Sequence, residues 1–407
     1  MPSGFSDAQL LGGLALIALL ALVGGWARLV RLKQALGLEQ LLAGGFLFLP
    51  LGMLLSEAGL GVVNRAVVRE LDPLVTLGLG MLGLLMGLRL EIIGPRQRTI
   101  LASAAMESLS TIVLVGAPLF VLLDIVSPAD LQRRATAAAV LGCVAAISGG
   151  HSLGAVVRRA SPGQPDLVTR VADQGTVAAV LVAGVLVALL SPTATLVPLE
   201  RLLALATIGI VGGLCTWLLS RGTSDAALRG AFQLGMLLVT AGTAAYLSLP
   251  PVAATLLAGM TIAQVSGSLA RELSDSLGFL EPPLTVLLLV IAGAALRMPT
   301  WRAGVVLGFF LVLRTAGKIL GGRAASAVSK GELPRLMGLG LLPSGAVALG
   351  LALDYAHSAR GRLGAVAVAV AVLGLLLSET AGVWTTRLLA RAKLPESTPP
   401  PTREKTP

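Results

Sequence analysis

Aromatic rings, charge, cysteine and histidine are all scarce in this chain. Phe, Trp and Tyr together make up 3% of 407 residues, charged residues make up 13%, and there are two cysteines and two histidines. Cys143 and Cys215 each lie inside a long apolar run and share no ligand spacing, so no disulfide framework is present. With no His-Glu or Cys cluster, a transition-metal site is excluded as well. No phosphate-cradling glycine loop occurs, which argues against ATP as a driving force. So little charge is far below what a soluble domain carries, and so few aromatics leave only thin belts at a membrane interface.

What the chain has instead is apolar length. Hydrophobic residues reach 55%, glycine numbers 49 and mean hydropathy is +0.87. This is the composition of a multi-pass membrane protein whose helices meet through small residues. The net charge of +10 does not point to nucleic acid, because the basic residues stand singly between apolar runs. They read as topology signals.

Apolar runs near twenty residues predict thirteen crossings, near 8–26, 36–55, 72–90, 99–123, 135–157, 166–190, 200–219, 228–247, 251–265, 279–296, 302–323, 335–354 and 363–387. The first has only Asp7 before it and no cleavage site, so the amino end is expected outside and the carboxyl end inside. Lys and Arg agree with that topology: twenty fall in loops on the cytoplasmic side and nine on the other. Two, Arg314 and Lys318, belong to no loop and lie one turn apart on one face of the eleventh span. The tail at 394–407 is Pro-rich and charged, and is expected to be disordered.

The acids leave a matching remainder. Glu107 falls in the fourth span, Asp173 in the sixth and Glu379 in the thirteenth, while His151 falls in the fifth. Counted from the cytoplasmic edge of each span at ~1.5 Å per residue, all six groups lie roughly 8 to 14 Å inside, in one layer. Ionisable groups are costly there and either mark a working site or pair with one another, and Glu107 and Glu379 read as structural or secondary members of the layer.

Two helices are expected to break in the same layer. "AISGGHSLG" carries Gly149 and Gly150 before His151, and "GLLPSGAVALG" carries Pro343, Ser344 and Gly345. Gly tolerates open geometry and Pro removes a donor. Paired interruptions in corresponding halves of a membrane chain point to an ion site between inverted repeats, here spans four to six and eleven to thirteen.

Several stretches, in order, resemble the sodium/proton exchanger family of the cation/proton antiporter superfamily. They are "RELDPLVTLGLGMLGLLMGLRLE", "LSLPPVAATLLAGMTIA", "PPLTVLLLVIAGAAL", "LVLRTAGKILGGRAA" and "GLGLLPSGAVALGLAL". The similarity covers residues 10 to 390. It implies an all-α antiporter fold with two discontinuous crossing helices, occupying residues 1–393. A core bundle near 99–190 and 302–390 would slide against a dimerisation bundle in a homodimer of the inner membrane. The family bears an acidic or Asn-Asp pair in its sixth span, and "VADQGT" places Asp173 in the essential carboxylate's role. Its neighbour is Ala172 or Gln174, so the second carboxylate is missing, and either Glu107 replaces it or one proton is exchanged per cation.

The residues themselves support a chemistry. A buried carboxylate favours its neutral form, while a nearby ammonium favours the charged one, so Lys318 is expected to hold Asp173 ionised. A monovalent cation, Na⁺ or K⁺, and protons would then compete for Asp173 without any cofactor. Gln174, Ser152, Ser344 and carbonyls freed at the breaks would add oxygen ligands. Arg314 reads as a partner of Glu379 or Glu107. His151 reads as a polar contact or a pH-sensitive gate. A symporter or channel-like carrier on the same scaffold is the alternative, and Asp173 pairing with Arg170 at a helix end is the plain reading of that acid.

Overall fold

In a bilayer each backbone group must find its partner within its own segment or a neighbouring one, so long apolar runs become helices. The computed structural model describes residues 12, 15–22, 47–57, 59–63, 65–90, 95–126, 129–149, 165–191, 196–223, 225–296, 301–329, 333, 337–358 and 362–391. Among them there is no strand, only an isolated bridge between Ser56 and Val63. The protein is all-α. Among the described residues six helical stretches are long and apolar enough to cross a membrane, one of them the continuous run Gly267–Ala295, and three more helices are apolar but shorter.

In chain order the elements are α1 (Phe48–Leu55), α2 (Arg65–Glu70), α3 (Asp72–Leu88), α4 (Pro95–Val126), α5 (Leu131–Ala146), α6 (Pro165–Leu190), α7 (Pro198–Arg221) and α8 (Ala226–Tyr246). They continue as α9 (Pro251–Val265), α10 (Gly267–Leu277), α11 (Glu281–Ala295), α12 (Trp301–Val328), α13 (Met337–Gly340), α14 (Gly345–Ser358) and α15 (Arg362–Arg391). The third to eleventh expected crossings and the thirteenth each meet one helix. The twelfth is split into α13 and α14, and most of the first two lie outside the described residues.

Two helices, α2 and α10, have no counterpart in the hydropathy reading. The segment α10, GSLARELSDSL, is capped by Ser266, whose Oγ accepts from Leu269 N at 3.4 Å. It buries Leu269, Ala270, Leu273 and Leu277 beside Met81, Leu84, Leu85 and Leu88 of α3. Its other face is charged, so its mean polarity hides it from a search for apolar runs.

Two sets of helices meet at α6. One set gathers α4, α5, α6, α12, α14 and α15, with α4 lying along both α5 and α12. The other gathers α3, α7, α8 and α9, with α3 lying along α9. Glycine sets the closeness of that last pair: a Cβ at Gly87 would strike the carbonyl oxygen of Leu256, and one at Gly259 that of Leu84. Backbones can approach so nearly only where neither helix carries a side chain. On its other side α6 touches the second set through Gly184, where an added Cβ would lie 2.6 Å from Ala253 Cβ in α9 and 3.4 Å from Leu205 in α7.

Candidate functional site

Helix α5 stops at Ala146, and Ile147, Ser148 and Gly149 continue without helical structure. Helix α13 stops at Gly340, Leu342 to Ser344 are likewise irregular, and Gly345 opens α14 with a φ of 71°. The two irregular stretches touch. Gly149 N donates to Pro343 O at 2.6 Å, and a Cβ on Gly345 would lie 3.1 Å from Gly149 Cα. Glycine at 345 thus serves both a left-handed φ and a close crossing. Gly150, His151 and Ser152 lie outside the described residues.

Breaking a helix leaves carbonyls unpaired on one side and N–H groups unpaired on the other. Charged side chains meet both. The carbonyl end of α5 receives the two cations of α12: Arg314 Nε donates to Ala145 O at 3.1 Å, Arg314 Nη2 to Ile147 O at 3.1 Å, and Lys318 Nζ to Ala146 O. The N–H end of α14 receives Glu379, whose Oε1 accepts from Ser344 N at 2.9 Å and Gly345 N at 3.1 Å. Cations at a helix C-terminus and a carboxylate at an N-terminus each oppose the local macrodipole. Arg314 also reaches across the crossing, with Nη1 donating to Ser378 Oγ at 2.7 Å and to Ser344 Oγ. Ser344 is therefore engaged on both its nitrogen and its oxygen.

Lys318 does not serve Asp173. Its ammonium donates to Glu107 Oε1 at 2.9 Å, to Ser148 Oγ at 2.7 Å and to Ala146 O, which uses all three of its donors. The expected Lys318–Asp173 pair is replaced by a Lys318–Glu107 ion pair with both side chains sealed from solvent. The reason is rotational: a Cβ at Gly321 would lie 2.8 Å from Glu107 O, so α4 presses directly on the Lys318 face of α12. Glu107 is further held by Ser108 Oγ at 3.3 Å and Thr111 Oγ1 at 3.4 Å.

Asp173 is exposed, between buried Ala172 and buried Gln174. Its direction follows from helix geometry. Gly175 faces α4, where its Cβ would meet Ser108 Oγ at 2.9 Å, and two residues of rotation turn Asp173 roughly 200° away from that contact. Gly184, which faces α9 and α7, lies three turns on and within roughly 20° of Asp173 in azimuth. Asp173 therefore points from α6 toward the second helix set, at a level where it remains open. It is also close to the crossing, since Thr176, one turn along, donates from Oγ1 to Ser148 O at 3.0 Å and accepts from Ser148 N at 3.3 Å. Among the described residues, Gln174 Oε1 and Ser103 Oγ are buried without a hydrogen-bond partner; Gln174 follows Asp173 in the chain but turns roughly 100° away from it, onto a buried side of α6.

Thr176, Ser148, Ser378, Ser108 and Thr111 were not singled out by the sequence reading. Only Thr176 carried a usable signal, a hydroxyl one turn after Asp173 on a helix expected to line a site.

No family model matches the chain, and no curated protein matches it by sequence. Among solved structures it is similar to the sodium proton antiporter MjNhaP1 from Methanocaldococcus jannaschii, determined at pH 8, with a TM-score of 0.67 and 16% identity. The likeness covers 94% of this chain and 99% of that one. The fold is that of this antiporter. The interrupted α5 and the split α13–α14 sit within a scaffold shared with an ion exchanger along almost its whole length.

Proposed function

We propose that the chain belongs to the sodium/proton exchangers and exchanges a monovalent cation, Na⁺ or K⁺, for protons across a cell membrane by alternating access. The supporting observation is the position of Asp173: an exposed carboxylate, turned on α6 toward the second helix set, one turn from a crossing of interrupted helices. A carboxylate there can hold either an alkali cation or a proton, and competition between the two is exchange. Gln174 Oε1, buried without a partner among the described residues, is an oxygen of the hard type such cations prefer, on the buried side of the same helix turn.

The rest of the crossing is already neutral. Lys318 balances Glu107, and Arg314 lies with Glu379 around the same broken ends. We assign the changing charge to Asp173, so one proton replaces one cation and each turnover carries no net charge. In this reading the set α4, α5, α6, α12, α14 and α15 moves as a core against the remaining helices, which form the contact of a homodimer. The amino end lies outside and the carboxyl end in the cytoplasm, as the loop charges indicate.

The test is transport in sealed vesicles. Purified protein reconstituted with an interior pH-sensitive dye is given Na⁺, K⁺ or Li⁺ in turn outside. Cation-dependent proton efflux supports exchange. Proton movement that runs in the same direction as the cation indicates a symporter instead.

A further inference from the structure

We propose a second binding site, for the phosphate of an anionic membrane lipid, where α7 ends, α8 begins and α10 passes beneath them. A cavity of ≈ 590 Å³ opens there. It is lined by Trp217, Arg221 and Thr223 on one side, Arg229 on another, and Ser266, Ser268 and Glu272 below. Hydroxyls and guanidinium groups predominate among its polar walls, with two arginines against one glutamate, and Trp217, Val265 and Leu269 supply an apolar part.

The two arginines are prepared differently. Arg229 is fixed: Nη1 pairs with Glu272 Oε1 at 2.5 Å, and Nε and Nη2 donate to Thr223 O at 3.2 and 2.9 Å. That brace joins α8, the α7–α8 turn and α10 into one rim. Arg221 is held only from one side, its guanidinium lying 4.9 Å above the Trp217 ring, and it has no hydrogen-bond acceptor among the described residues. A stacked guanidinium keeps its planar fork of donors, the geometry that matches phosphate oxygens in pairs. Ser266 and Ser268, 3.2 Å apart, stand below it as further hydroxyls. Arg221, Arg229 and Glu272 together leave one positive charge for one phosphodiester.

The surroundings favour a lipid over a free phosphate. Arg221 follows exposed Leu214 and Leu218 along α7 at the i, i+4, i+7 spacing of a single helix face. Leu228 and Phe232 of α8 and Val265 at the end of α9 are exposed beside it. A polar pocket ending an exposed apolar stripe, with an indole at the boundary, fits a headgroup above its acyl chains. This end of α7 is the one shared by the start of α4 and the end of α12, the face with the excess of basic loops, where anionic headgroups would add to the attraction. The site needs only the membrane setting and is independent of what the chain transports.

The experiment is native mass spectrometry of the full-length protein released from detergent, after incubation with phosphatidylglycerol, with phosphatidylcholine, or with inorganic phosphate alone. The proposal expects phosphatidylglycerol to be retained in preference to phosphatidylcholine, and Arg221→Gln to lower that retention about tenfold, the loss of one charge-assisted bidentate contact. Arg271→Gln, which removes an exposed arginine of α10 outside the cavity, should leave retention unchanged. A melting-temperature rise of the unaltered protein with phosphatidylglycerol but not phosphatidylcholine reads the same site without any variant. Equal retention of the two lipids, equal loss in both variants, or retention unaffected by Arg221→Gln would overturn the proposal. Saturable binding of inorganic phosphate that displaces the lipid would assign the pocket to a free anion and overturn the lipid site.

Discussion

The ammonium of Lys318 lies 2.9 Å from Oε1 of Glu107, and neither side chain is more than 2% exposed. The pair joins α12 to α4 while its remaining donors hold the open end of α5. One salt bridge thereby fixes the crossing and commits Lys318 to Glu107 in place of Asp173. Removing one member of a buried pair strands the other charge at a cost of roughly 3–5 kcal/mol, more than the pair itself contributes. Lys318→Met alone should therefore lower the melting temperature sharply. Adding Glu107→Gln should restore part of it, measured by thermal unfolding in detergent. Two variants whose losses simply add would show the groups are not coupled.

The hydroxyl of Thr176 bridges α6 to Ser148 by two hydrogen bonds. Thr176→Val keeps the shape and removes the bridge, leaving buried backbone groups of the break unsatisfied at about 1–3 kcal/mol. Thr176→Ser should retain both stability and exchange rate. If the valine and serine variants transport alike, the link between Asp173's helix and the crossing has no functional weight.

Glu379 closes the N-terminus of α14 through one oxygen. Glu379→Gln keeps an acceptor there and loses only the charge, which opposes the macrodipole by up to about 2 kcal/mol in a buried setting. Glu379→Ala leaves two backbone donors orphaned and should cost about two to three times more. The comparison is read as the order of melting temperatures, glutamate above glutamine above alanine. Glutamine falling to the level of alanine would mean that the charge, and not the cap, is what matters.

Much of this architecture could be read in the chain beforehand. Apolar lengths located the helices from α3 onward, because a bilayer imposes a minimum span on every crossing. Gly149 and Pro343 marked the two interruptions, since a helix in lipid tolerates such residues only where protein or water meets the freed groups. The shared depth of Glu107, Arg314, Lys318 and Glu379 fits their convergence on one crossing. What spacing left open was partnership. Whether Lys318 reaches Asp173 or Glu107 depends on the azimuth and separation of α4, α6 and α12, and these are set by glycine contacts such as Gly321 on Glu107 and Gly175 on Ser108. The amphipathic α10 was invisible for a different reason: it lies along the bundle's end and carries a charged face, so no apolar run announces it.

Replacement of one cation by one proton at Asp173, as proposed, predicts electroneutral exchange. A clamped potential of 100 mV acts on each net charge carried with about 2.3 kcal/mol. Vesicles held at zero and at 100 mV with valinomycin and fixed K⁺ gradients should exchange Na⁺ for protons at the same rate. A rate that follows the potential would show a second proton per cation, carried by Glu107 if Glu107→Gln abolishes the voltage dependence.

Competition for a single carboxylate also fixes the direction of the pH response. Protons are the competitor, so the half-saturating cation concentration should fall as pH rises, up to the point at which the acid is fully ionised, while the maximal rate at saturating cation changes little. Initial rates against cation concentration at several pH values give the answer. A half-saturating concentration that does not move with pH would mean that cation and proton occupy separate sites.

The most direct test is cation-dependent proton efflux from proteoliposomes, measured side by side for the native chain and Asp173→Asn. Asparagine keeps the size and one oxygen of the side chain but can neither ionise nor exchange a proton. Exchange is predicted to disappear while the melting temperature stays within a few degrees of the native value, as expected for an exposed position. Native-like efflux through Asp173→Asn would contradict the account at its centre.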